Sequence, residues 1–99
     1  MSTITITKSE TETGGRFVAH VEGETAVGEL TFSKVNAELI IADHTGVPNA
    51  LAGKGVGKAL VTHLIEDART NGYRIVPLCP FVRAQSLKHS EWDDVIVRR

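Results

Sequence analysis

Three places in this chain hold residue types able to do chemistry. The first is Gly53-Lys54-Gly55-Val56-Gly57-Lys58, alternate glycines running into an apolar stripe of helical spacing. Closely spaced glycines let a backbone approach a phosphate without a Cβ in the way. The amides at a helix start then point, unpaired, toward negative charge. Lys54 and Lys58 add positive charge beside them. Lysine at a helix start opposes the dipole unless an anion is present, so the pair favours a phosphorylated ligand over a merely solvated first turn. The second place is Cys79, the single cysteine, directly before Pro80. A thiol at a helix start is biased toward thiolate, whereas a buried one acts as a small hydrophobe. The third is His44, inside the polar run Asp43-His44-Thr45-Gly46-Val47-Pro48. A neutral imidazole there can take a proton from an ammonium or from Cys79, or it can simply bond its own backbone. His20 and His63, on a strand face and a helix face, have no partner spacing that suggests a metal, and His89 is expected to cap a helix end; no metal is expected.

The elements that must position these residues follow from periodicity. Ile4 and Ile6 between threonines predict a first strand, and Ser9 to Gly15 a loop or hairpin turn. Phe17, Ala19 and Val21 alternate with Arg16, Val18 and His20 in a half-buried second strand. A third spans Thr25 to Phe32, with Gly28 marking a bulge or a close backbone approach. The apolar run Ala37 to Ala42 predicts a strand covered on both faces. Val56, Leu60, Leu64 and Ala68 then recur every fourth residue. That spacing predicts a helix from about Gly55 to Thr70, closed by Asn71-Gly72. Tyr73 to Leu78 forms a short strand, and the strand-helix-strand order predicts that it runs parallel to the fourth. Pro80 opens a second helix carrying Phe81, Ala84 and Leu87 at helical spacing. Trp92 closes the core, and Val95 to Val97 forms an edge strand.

Composition sets the class. At 99 residues the chain is expected to be one domain, residues 1–99, with one core. A formal net charge of -1 gives no electrostatic reason to propose nucleic acid or a membrane surface as partner. A single cysteine allows no internal disulfide and suggests a reducing, cytoplasmic setting. No signal peptide or membrane span is expected from the residue pattern.

Spacing narrows the glycine turn. A P-loop needs four residues between its first glycine and the Gly-Lys, then Ser or Thr; here that count reaches Ala52, and Ala59 follows. A dinucleotide fingerprint needs G-x-G-x-x-G, not the G-x-G-x-G found here.

The turn, set after the polar run that holds His44, resembles the acetyl-CoA site of GNAT-superfamily N-acetyltransferases. A second segment adds to the likeness. Val76-Pro77-Leu78-Cys79-Pro80-Phe81-Val82 followed by His89-Ser90-Glu91-Trp92 resembles the C-terminal signature of the compact YjdJ-like branch. The resemblance covers roughly residues 16 to 93. It implies an α/β (α+β) fold with a mixed, mostly antiparallel sheet of five to six strands. One helix would follow the fourth strand and another the fifth. It also implies acetyl-CoA as co-substrate, held by Val47, Gly53, Lys54, Gly55, Val56, Gly57 and Lys58. An amine would accept the acetyl group, with Cys79 and His44 at the reaction centre; a non-catalytic coenzyme-binding module is the alternative. The sequence departs from the family pattern at Ala52, where Gln or Arg opens the motif, and at Gln85, where an aromatic is common. Larger relatives also place two helices between the first two strands, and here only Ser9 to Gly15 fills that interval.

Overall fold

The computed structural model describes residues 3–98; Met1, Ser2 and Arg99, at the outer ends of the expected first strand and tail, lie outside the described residues. Four strands form a meander: β1 (Ile4–Glu10), β2 (Gly14–Val21), β3 (Val27–Asn36) and β4 (Leu39–Gly46). Each is antiparallel to the one before it. Helix α1 (Val56–Asn71) follows, and β5 (Arg74–Pro77) lies parallel to β4. Helix α2 (Pro80–Leu87) comes next. The sheet order is β1-β2-β3-β4-β5. This is the mixed α+β sheet with a helix after its fourth and fifth strands. The tail adds one parallel bridge, Ile75 to Ile96, rather than a full sixth strand.

The core lies on one side of the sheet. Phe17, Ala19, Leu30, Phe32, Ile40 and Ala42 point from the strands toward Leu60, Val61, Leu64 and Ile65 of α1, and all are buried. Burying each large side chain contributes about 1.5–3 kcal/mol relative to leaving it exposed. Gly55 and Gly72 flank α1 in left-handed conformation, and the Gly72 amide closes the helix on the Ala68 carbonyl at 2.8 Å. On the other side of the sheet, Thr5, Thr7, Ser9, Arg16 and His20 are exposed.

Several boundaries differ from the periodicity. β1 and β2 extend through most of the stretch expected as a loop, and the turn is only Thr11 to Thr13. Gly14 and Gly15 lie within β2; a Cβ at Gly14 would sit 2.5 Å from the Phe32 carbonyl oxygen, and one at Gly15 would strike the Ser9 carbonyl. They permit close neighbours on both sides rather than a turn. β4 begins and ends later than expected, and it is not covered on both faces: Ile40 and Ala42 are buried while Leu39 and Ile41 are half-buried. The apolar run reflects a strand whose outer face is partly screened, not a second helical layer. Helix α2 starts at Pro80 as expected but turns a different face inward. Val82 and Ser86 are buried, whereas Phe81 and Leu87 are 37% and 76% exposed. The inward set Cys79, Val82 and Ser86 keeps helical spacing from the last residue before the helix.

Candidate functional site

The glycine turn is built by a short 3-10 turn, Asn49–Leu51, whose buried Leu51 anchors it to the core. Gly53 and Gly55 both take left-handed backbone, with φ of 77° and 75°. Those angles are costly for any residue with a Cβ, and they swing the chain directly into α1. Helix geometry leaves the amides of Val56, Gly57 and Lys58 without intrahelical acceptors. No side chain caps them, and no acidic residue stands in the first turn. The result is a positive helix end with free donors. Ala52 ends the 3-10 turn and carries no charge of its own.

The flanking side chains divide. Val56 and Gly57 are buried, while Gly53, Lys54, Gly55 and Lys58 are exposed. Lys54 reaches toward Glu24, 3.9 Å away, in the link between β2 and β3. Lys58 lies on the flank of α1 that faces Ile4 and Ile6. Gly57 packs against the second helix: a Cβ there would sit 2.8 Å from the tip of the Phe81 ring. The N-termini of α1 and α2 therefore meet through a glycine and a phenylalanine. Val47 stands just beyond the end of β4, 38% exposed.

Between these helix ends the sheet parts. β4 and β5 pair from Leu39–Arg74 to Ala42–Pro77 and no further. The Cys79 amide then donates to the Ala42 carbonyl at 2.8 Å, the last link across. β4 runs on to Gly46 without a β5 neighbour, leaving an opening whose apex is Cys79. The thiol is 2% exposed and shares a 3.3 Å hydrogen bond with the Thr45 hydroxyl. Cys79 is also the residue that precedes α2, with Pro80 in the first turn.

A bulge decides where His44 goes. Phe32 pairs with Ala42 but Thr31 pairs with His44, so Asp43 is an extra residue in β4. Plain alternation from Ala42 would put His44 on the core side and Thr45 outside. The bulge reverses this. Thr45, opposite Leu30, joins the core side beside Cys79, and His44, opposite Thr31, faces outward and is exposed. The His44 ring lies over Gly46, Nε2 3.4 Å from where a Cβ would stand. Asp43 accepts a 2.6 Å bond from the Ser33 hydroxyl and does not orient the imidazole. The structure thus gathers the glycine turn, Phe81, Thr45 and Cys79 around one opening. It leaves His44 on the opposite face, without a hydrogen bond to Cys79. Thr45 carries no signal in the sequence, because only the bulge brings it to the thiol.

Comparison with known proteins bears on the family and the fold. A family model described as GCN5-related N-acetyl-transferase matches residues 16–95. A solution structure of a GCN5-like candidate N-acetyltransferase from Staphylococcus aureus aligns with a TM-score of 0.70 and 31% identity, covering 94% of this chain and 89% of that one. No curated protein matches. With the family model spanning most of the chain, the protein belongs to the GCN5-related N-acetyltransferase family.

Proposed function

We propose that this chain is an acetyl-CoA-dependent N-acetyltransferase acting on an amine. The observation that carries the reading is the convergence of the uncapped α1 N-terminus and the β4–β5 opening on Cys79. The donor set fits a nucleotide diphosphate: free amides at Val56, Gly57 and Lys58, glycines that admit close approach, and ammonium groups at Lys54 and Lys58. Val47 and Gly53 are the further residues that this reading sets against the coenzyme. Beyond Ala42, the unpaired β4 amides supply donors for a carbonyl that gathers negative charge. When bound, acetyl-CoA supplies the activated acetyl group.

In the direct route an amine attacks the thioester carbon, the carbon–sulfur bond breaks, and coenzyme A leaves as thiolate. His44, exposed on the outer face of β4 past its last pair with β5, is the base that would take a proton from the incoming ammonium and leave the free amine to attack. In the alternative route the Cys79 sulfur attacks the thioester carbon and coenzyme A leaves as thiolate; the amine then attacks the acetyl-cysteine and the cysteine sulfur leaves. Cys79 is buried, with the Thr45 hydroxyl 3.3 Å from its sulfur and α2 beginning directly after it. Mass spectrometry after mixing with acetyl-CoA separates the two: no adduct on Cys79 under any quench leaves the direct route.

A non-catalytic coenzyme carrier is the second reading, favoured by Gln85, which has no proton to give at neutral pH, and by the separation of His44 from Cys79. The deciding experiment is a coenzyme A titration by NMR, followed by an amine panel. The amides of Gly53 to Lys58 should shift and at least one amine should be acetylated. Shifts without any acetylation would favour the carrier, and unshifted amides would overturn both readings.

A further inference from the structure

We propose that β1 is a self-association edge, at which a second copy of this chain adds antiparallel to give a continuous two-fold sheet. The Thr3 carbonyl accepts from the Glu22 amide at 2.9 Å and the Thr11 amide donates to the Gly14 carbonyl at 2.7 Å. In an antiparallel pair such bonds fall on alternate residues, so Thr5, Thr7 and Ser9 bond inward to β2. The amides and carbonyls of Ile4, Ile6 and Lys8 point outward, along an edge that no other strand covers among the described residues.

Natural edges are protected by proline, bulges or projecting charge. β1 has no proline, and its pairing with β2 is unbroken from Ile4 to Glu10. Its lysine does not guard it either. Lys8 turns back over the core, its Nζ 2.8 Å from Asp67 and within 6 Å of the ring centres of Phe17, Phe32 and Tyr73. Ile4 and Ile6 stay half-buried above an open groove of about 440 Å³ beside α1.

The geometry favours a second copy over a foreign strand. Core-face residues must meet core-face residues, so a two-fold register pairs even positions with even ones. Centring it on Ile6 sets Ile6 against Ile6 and Ile4 against Lys8. On the other face it sets Thr5 against Thr7, a favourable hydroxyl pair. The two Lys8 residues stay four positions apart.

Hydrogen exchange and sedimentation of the wild-type chain over a wide concentration range test this. The expected result is a mass of two chains at high concentration, with the Ile4, Ile6 and Lys8 amides gaining protection in step. Ile6→Lys, which sets two ammonium groups at the dyad, should weaken association by about tenfold or more while leaving the amide spectrum native. Three results would overturn the proposal: a monomer at every concentration with those amides exchanging freely, a dimer protected elsewhere, or a folded Ile6→Lys chain that dimerises as before.

Discussion

At the scale of single residues, Gly57 and Phe81 set how closely the two helix starts approach. Alanine at position 57 gains about 0.5–1 kcal/mol of helix propensity but drives a methyl into the Phe81 ring, and overpacking costs about 1–3 kcal/mol. Gly57→Ala should therefore be destabilising in the native background and stabilising in a Phe81→Ala background. Urea denaturation of the four proteins in that cycle checks the reversal. Asp67 gives the second prediction. Burial pushes its carboxyl up, but hydrogen bonds from Lys8 and Tyr73 and the Lys8 charge outweigh this and hold it below the ordinary value. Tyr73 donates at 2.6 Å, and burial together with that contact keeps it protonated. A carboxyl depressed on folding adds stability above its unfolded value near pH 4, and that stability is lost as pH falls through the lower folded value. Asp67→Asn should lose about 1–3 kcal/mol at neutral pH and show a flatter acid decline, read from thermal midpoints between pH 6 and 2. Of the candidate site, the turn into α1 could be read from the sequence, because its glycines announce the left-handed backbone found at Gly53 and Gly55. Thr45 could not, since its place depends on one extra residue in β4.

Among the elements, α1 was the most legible: its stripe, left-handed glycines and closing Asn71-Gly72 all point to the same span. α2 shows the limit. Phe81, Ala84 and Leu87 have helical spacing, yet the helix is anchored by Cys79 and turns Val82 and Ser86 inward. Period alone cannot say which stripe of a short helix with apolar residues on two sides faces the core. Val82→Ala should cost about 1–3 kcal/mol through the cavity it leaves, and Leu87→Ala less than about 0.5 kcal/mol; chemical denaturation of both variants tests the assignment. β4 shows a different limit. Its bulge at Asp43 has no glycine or proline to mark it, so alternation assigns His44 and Thr45 to the wrong faces.

For the molecule as a whole, small size makes ligand binding visible as stability. At a hundredfold excess over its dissociation constant a ligand adds about 2.7 kcal/mol. In a domain of this size each kcal/mol moves the midpoint by about 4–8 °C. Coenzyme A at that excess should raise the melting temperature by roughly 10–20 °C, measured by calorimetry. The core on one side only was legible in strands β1 to β3, and the bare second face follows from the missing helices between β1 and β2. A sheet clothed on one side is a partition, and the parting of β4 and β5 is its doorway. A visitor from the bare side crosses no helix to reach the threshold where His44 stands. On the proposed transfer reading, the bulk behind an acceptor's amine is then not what this architecture sorts by. An amine carried on a folded protein and the same amine on a small molecule should be admitted alike.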